Sequence, residues 1–315
     1  MLLREIIGQG RHYRNLLLAA ALASLPLTAS AGGKVYQVPE TSEEKEALLR
    51  AVEAGEPDAL YLVGLLGVEG QVVGFSREEG LAALFQAAET GHADANYLLG
   101  VIYATGQGQP QNHETAVQHF QVAAKAGHAE AQAALAQAYL TGVGIARDVV
   151  QARYWFEQAV AGGDTEARVN LGVLLLSGEP GVEDPARGIE LLGAAAAEGI
   201  PAAQHNLGQV FAEGMGVPPQ PETAASWYRL AADKGYQHAQ FSLGRLLLTA
   251  GDPQFDPVEG ISWIMLAAAG PNEMLREASE GVLSQLAEQL PQEILNDARE
   301  RARVTMMRIG MNSGY

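Results

Sequence analysis

Small and aliphatic residues return along this chain at a fixed interval. Gly55, Gly91, Gly127, Gly163, Gly199 and Gly235 stand 36 residues apart, with no insertion or deletion between them. With each glycine counted as position 0, position 4 is always alanine: Ala59, Ala95, Ala131, Ala167, Ala203 and Ala239. Position 8 is Val63 and then Leu99, Leu135, Leu171, Leu207 and Leu243. Position 9 is small throughout (Gly64, Gly100, Ala136, Gly172, Gly208, Gly244), and position 32 is again alanine, from Ala87 to Ala267. Positions 4, 8 and 12 share one helical face, so positions 3 to 14 predict a first helix, A. A glycine inside a helix costs roughly 1 kcal/mol against alanine. Its return at position 9 therefore asks for a close approach by a neighbouring helix backbone.

A second helix, B, has a marked start. Position 21 holds Ser76, Asn112, Asp148, Asp184, Gln220 and Asp256, of which all but the glutamine are good N-caps. Pro185, Pro221 and Pro257 follow at position 22, where proline suits the first helical turn. Glu79, Gln151 and Glu259 sit three residues past their caps and predict capping boxes. Helix B should end at the next position-0 glycine, in the left-handed conformation. Trp155, Trp227 and Trp263 fall at position 28, and position 29 carries Leu84, Phe120, Phe156, Leu192, Tyr228 and Ile264. This stripe reads as core, filling the room left by positions 4, 9 and 32. An αα-hairpin cannot bury its apolar face alone, so the expected fold class is all-α: a right-handed αα-superhelix, or solenoid, of six stacked 36-residue repeats. Their bounds are 55–90, 91–126, 127–162, 163–198, 199–234 and 235–270.

The ends read as caps. Thr41, with Glu44 three residues on, opens a helix that puts Ala51 at position 32 of a missing earlier repeat, so residues 32–54 read as a linker and an N-terminal capping helix. Pro271 breaks the glycine series, and residues 271–315 predict two C-terminal capping helices. Arg299, Arg301, Arg303 and Arg308 gather in the last of them. Dipole complementarity and solvation explain them more simply than a docking site for an acidic partner.

Residues 1–31 read as a secretory signal. Arg4, Arg11 and Arg14 precede the apolar run Leu16–Leu27, and Ala29-Ser30-Ala31 gives a small-x-small cleavage pattern. Twelve apolar residues are too few to span a bilayer. The mature chain is expected to start at Gly32, in the periplasm or outside the cell, with no integral span. An uncleaved anchor is the alternative. The chain has no cysteine, so packing alone holds it together. Cleavage would remove three arginines and Glu5, taking the formal charge from −17 to −19. Such a surface repels phosphate backbones, which argues against nucleic acid as a partner.

The segments "ANYLLGVIYATGQGQPQNHETAVQHFQVAAKAGHAEA" and "AQHNLGQVFAEGMGVPPQPETAASWYRLAADKGYQHA" resemble the Sel1-like repeat, whose pattern is A…LG..Y..G.GV..D...A..WY..AA..G.. The resemblance runs from Gly55 to Gly270. The first unit departs most, lacking the tyrosine and the usual loop, and the fourth and sixth alter the loop to "SGEPGVED" and "TAGDPQFD". The resemblance implies a tetratricopeptide-like solenoid that holds other proteins. For a member with an export signal it implies an envelope adaptor or regulator of signalling, secretion or assembly.

Chemistry is sparse. The pairs Gly106/Gly108, Gly142/Gly144 and Gly214/Gly216 follow a helix, whereas a dinucleotide fingerprint follows a strand, so these are turn glycines. Ser42-Glu43-Glu44-Lys45 matches S-x-x-K without the companion motifs of a β-lactamase. His92 and His128 at position 1 read as polar turn residues, and His113 and His119 do not share a face. His205 and His238 lie on successive A helices and can approach each other, but two histidines without a third ligand make a poor metal site. Asp58, Asp94, Glu130 and Glu166 at position 3 suit the first turn of helix A. No catalytic, metal or cofactor set emerges, and none is expected. The functional candidate is the concave face lined by A helices, where positions 6, 7 and 10 vary. Its proposed partner-binding residues are Tyr61, Tyr97, Val101, Gln137, Asn170, His205, Asn206, Gln209, Phe241 and Arg245, the occupant being an envelope protein or an extended peptide. An envelope hydrolase or a cell-wall glycan binder is the alternative function.

Overall fold

A computed structural model of the chain describes residues 28–31, 34–39, 41–69, 75–249 and 255–310. The chain divides into two compact units, residues 1–168 and 169–315. The first opens with two short antiparallel strands, β1 (Thr28–Ala31) and β2 (Lys34–Gln37), so Ala29-Ser30-Ala31 lies in a strand. The predicted leader up to residue 27, and Gly32, fall outside the described residues. Every other element is helical. The first unit continues with α1 (Ser42–Glu53), α2 (Pro57–Glu69), α3 (Arg77–Glu89), α4 (Ala93–Thr105), α5 (His113–Lys125), α6 (Ala129–Thr141) and α7 (Val149–Ala161). Helix α8 (Thr165–Leu176) starts in the first unit and runs into the second. The second unit adds α9 (Pro185–Ala197), α10 (Pro201–Glu213), α11 (Pro221–Ala232), α12 (Gln237–Leu247), α13 (Pro257–Ala268), α14 (Glu273–Gln289) and α15 (Gln292–Arg308).

The predicted punctuation is present. All six position-0 glycines are left-handed, with φ from +74° to +90°. Thr41/Glu44 and Ser76/Glu79 form reciprocal capping boxes, each with both bonds at or under 3.2 Å. The other two predicted boxes form only in half. Asp148 and Asp256 cap Gln151 N and Glu259 N, but the Glu259 carboxylate turns away to Arg229, Trp263 and Arg301. That network also accounts for the arginines of α15. Arg301 reaches Glu259 at 2.9 Å, Arg308 reaches Asp233 at 2.6 Å, Arg303 pairs with Glu300, and Arg299 donates to Asn296. Leu295 and Ala298 of α15 pack with Ile261 of α13, so the helix closes the end of the second unit's core.

Positions 4 and 32 are buried in every repeat. The glycine at position 9 has a more specific cause than the predicted backbone approach. A Cβ there would lie 2.3 Å from Leu84, 2.5 Å from Phe120, 2.8 Å from Leu192, 2.5 Å from Tyr228 and 2.7 Å from Ile264, the position-29 side chains of the same hairpins. Backbone crowds it too in three hairpins, where position 25 is also glycine. A Cβ on Gly80, Gly188 or Gly260 would come within 2.8–3.1 Å of backbone on the facing A helix. In those hairpins position 29 is aliphatic. Where position 25 is alanine (Ala116, Ala152, Ala224), position 29 is Phe120, Phe156 or Tyr228. Glycine at position 25 thus goes with an aliphatic wedge and alanine with a ring. Position 28 is less central than predicted: Trp263 is buried, whereas Trp155 and Trp227 are half-buried.

Helix α9 supplies an internal comparison. Gly188→Ala should destabilise the chain by about 1–3 kcal/mol through overpacking, despite the gain in helix propensity. Gly193→Ala, where an added Cβ meets nothing within 4 Å, should stabilise it by up to ~1 kcal/mol. Urea unfolding of both variants checks the opposite signs.

Candidate functional site

Successive repeats meet through a rung built from position 6 of one and position 1 of the next. In the first unit Tyr61 stacks on His92 with ring centroids 5.2 Å apart, and Tyr97 stacks on His128 at 4.5 Å. Position 3 of the earlier repeat completes each rung: Asp58 Oδ1 lies 2.9 Å from His92 Nε2, and Asp94 Oδ1 lies 3.3 Å from His128 Nε2. The second of these is an ion-pair separation without good hydrogen-bond alignment. Both histidines also cap helix A, accepting the N–H of Ala95 and Ala131 through Nδ1. They are junction residues, and more than polar turn residues. In the second unit the ring types exchange places. His205 at position 6 meets Tyr236 at position 1 with centroids 5.6 Å apart, beside Tyr228 and His238.

An amide at position 5 ties four of the five junctions from below; the fourth repeat has Arg168 there. Asn96 Nδ2 donates to Ala88 O, and Gln132, Gln204 and Gln240 donate through Nε2 to Ala124 O, Ala196 O and Ala232 O, all at 3.1–3.3 Å. Each acceptor is a last-turn carbonyl of the preceding helix B that also accepts the N–H of the position-0 glycine. The recurrence of Asn or Gln at position 5 was visible in the sequence and went unused.

The two kinds of rung differ electrically. Burial, the largest influence on His128, opposes its charge, but the two carboxylates beside it, Asp94 and Glu130, together outweigh it and lift the imidazole to about 9. No carboxylate compensates His205. Burial and the neighbouring His238 depress it to about 3, against a smaller upward pull from Asn206. His238 is lowered by burial as well. At the start of α8, the half-buried Asp164 and its neighbour Glu166 are both raised, first by desolvation and then by neighbouring carboxylates.

Three of the predicted partner-binding residues are buried. Tyr61, Val101 and His205 are buried at 4%, 1% and 7% exposure, because a neighbouring repeat covers them; they pack the interior. In the first unit Tyr97 and Gln137 remain partly exposed. In the second, Asn170, Asn206, Gln209 and Phe241 are partly exposed and Arg245 is exposed, its guanidinium 5.9 Å from the Phe241 ring centroid. Ser242 at position 7 joins this strip and bonds to His205 Nε2 at 3.1 Å. With Asn206 Oδ1 3.3 Å from Nδ1, the trio has the connectivity of a nucleophile, base and orienter. An imidazole held near 3 is a weak base at neutral pH, and the surrounding backbone N–H groups are bonded within α10 and α12. His205 and His238 do come together, yet among the described residues no group of three metal-ligating side chains occurs. The turn-glycine reading also has a direct cause. A Cβ on Gly108, Gly144 or Gly216 would lie 2.2–2.5 Å from Arg77, His113 or Pro185, at the start of the preceding helix B.

The Sel1 repeat model matches residues 93–128, 129–164, 165–200, 201–236 and 237–272, more than half of the chain. The chain belongs to the Sel1 repeat family. The match begins with α4 and leaves out the hairpin of α2 and α3, whose loop and tyrosine departed most from the pattern. A Sel1 repeat protein from Oxalobacter formigenes is 27% identical, with a TM-score of 0.62, over 73% of this chain and 92% of that one. A putative Sel1 repeat protein from Klebsiella pneumoniae is 23% identical, with a TM-score of 0.45, over 64% and 98%. The protective antigen c5321 of uropathogenic Escherichia coli, described as having an SLR fold, is 21% identical, with a TM-score of 0.44, over 85% and 72%. No curated protein matches. The all-α hairpin array is thus of the αα-superhelix class, and Sel1-repeat proteins are generally protein-interaction scaffolds rather than enzymes. Among the described residues no helix is long and apolar enough to cross a membrane.

The buried His205 gives the second unit an acid-side weakness. Folded, it stays neutral down to about pH 3, whereas unfolded it takes a proton near 6.5. Between those values the unfolded state holds the extra proton. The stability present above pH 6.5 is therefore lost as pH falls toward 3, by at most ~1.4 kcal/mol per pH unit. His205→Gln should flatten that slope in urea unfolding from pH 7 to pH 4; an unchanged slope would assign it elsewhere.

Proposed function

We propose that this Sel1-repeat protein is a non-catalytic adaptor of the bacterial cell envelope, and that it holds a partner protein or extended peptide on the A-helix face of its second unit. The observation that carries this reading is the strip at positions 7 and 10. The first two repeats place Leu62, Leu98, Leu65 and Val101 there, all buried. The second unit places Asn170, Asn206, Ser242, Gln209 and Arg245 at the same positions, partly or fully exposed. Amide and guanidinium groups on a stiff helical scaffold match the backbone of an extended chain at low ordering cost. Phe241, beside Arg245, adds an apolar anchor of the kind that concentrates binding energy.

The basic and apolar leader and the Ala29-Ser30-Ala31 motif support the envelope part of the reading. N-terminal sequencing of the chain recovered from its host should begin at Gly32; a start at Met1 would overturn the cleaved signal. A hydrolase would rest on Ser242 and His205, whose base strength argues against it.

A photo-crosslinking residue at Gln209 should capture a protein in envelope extract, with the Asn206→Ala/Arg245→Ala pair cutting capture at least about tenfold, a loss of ~1.4 kcal/mol. The same residue at Leu230, 49% exposed on the outer side of α11, should capture none of it. Equal capture from both positions, or no loss in the double variant, contradicts the proposed face.

A further inference from the structure

His92 and His128 occupy the same position of successive repeats and differ in burial and in one carboxylate. Each accepts an amide through Nδ1, from Ala95 at 3.2 Å and from Ala131 at 3.3 Å. Each turns Nε2 to an aspartate of the preceding repeat. Only His128 has a second acid: Glu130 Oε2 lies 3.1 Å from its Nδ1. A ring nitrogen carries either a lone pair or a proton. Nδ1 can cap Ala131 or donate to Glu130, and these two states exclude each other.

The setting favours a sharp choice between them. The His128 and Asp94 side chains are 1% and 8% exposed, whereas those of His92 and Asp58 are 10% and 55% exposed. Asp94 and the stacked ring of Tyr97 face His128 from α4, and Glu130 faces it from α6. Helix α5 contributes the Ala123 carbonyl, which accepts the His128 N–H at 3.1 Å. From the first turn of α8, Asp164 and Glu166 add negative charge beside Tyr97, and Asp164 interacts with Glu130.

We propose that His128 is a proton-controlled latch between the second and third repeats. With a proton on Nδ1 it bridges Asp94 and Glu130; without it, Nδ1 takes the Ala131 amide and Glu130 turns out to solvent. The upward shift of His128 to about 9 and the lowered Glu130 both fit a latch closed at neutral pH and open in alkali. Linkage adds a consequence: a cation that draws Glu130 away weakens the hold on the proton, so its binding and proton release are coupled.

NMR of the full chain between pH 6 and pH 10 tests this. The His128 ring should titrate near 9, and the Ala131 amide should shift with the same midpoint. Glu130→Gln should lower that midpoint by about one pH unit or more, a tenfold or greater loss of proton affinity. In His128→Asn, which keeps a capping side chain, the Ala131 amide should stay flat. A His128 midpoint at or below 6.5, an Ala131 amide that ignores it, or a midpoint unmoved by Glu130→Gln overturns the latch. The Ala131 readout needs no variant, so it decides the matter even if a substituted chain does not fold.

Discussion

The contact between the two helices of each hairpin governs the rest of the molecule. It is made where position 9 of helix A meets positions 25 and 29 of helix B, and the interior offers two solutions. With glycine at position 25, backbone meets backbone and an aliphatic wedge suffices. With alanine there, position 29 is a buried aromatic ring. The hairpins with alanine at position 25 carry Tyr103, Tyr139 and Phe211 at position 12, where those with glycine carry Gly67, Leu175 and Leu247. Their loops differ as well, since only the alanine hairpins use the paired glycines. Close packing tolerates little void or overlap, so a change at one of these positions obliges changes at the others.

Once the hairpins are fixed, neighbours meet at the same repeat positions with variable chemistry. The rung is Tyr-His-Asp twice in the first unit and His-Tyr in the second, while Val169 and Ile200 occupy its places in the fourth and fifth repeats. The position-5 amide ties the start of one hairpin to the last turn of the hairpin before at four of the five junctions, the fourth repeat carrying Arg168 instead. It does so at a cost, because Oε1 of Gln132 and of Gln204 is buried without a hydrogen-bond partner. A donor in the right place outweighs an unsatisfied acceptor when the carbonyl it reaches lies at a helix end.

This division explains what could be read from the sequence. Period, caps, left-handed glycines and the buried alanines are local or strictly repeated, and each follows from one residue type doing one task. The rungs were hidden because their residue types change from repeat to repeat while their positions do not. Variation at position 6 looked like the freedom of a binding surface. For Tyr61 and His205 it instead tracks the residue 31 places on, His92 and Tyr236, with which each shares a buried contact. Positions 7 and 10 gave a better guide in the second unit because polarity there coincides with exposure. The fate of the arginines of α15 was not legible, since Asp233, Asp256 and Glu259 meet them only through the fold.

Burial acts in the same direction on His128 and His205, so burial cannot explain why one imidazole is raised and the other depressed. The deciding variable is whether a carboxylate shares the cavity. Position 3 is acidic in the first four repeats and becomes Ala202 and His238 in the last two. The His128 rung is therefore an ion pair that holds its proton, and the His205 rung is a neutral packing element that refuses one. The difference follows position 3: Asp94 and Glu130 flank His128, whereas Ala202 and His238 hold that position in the last two repeats.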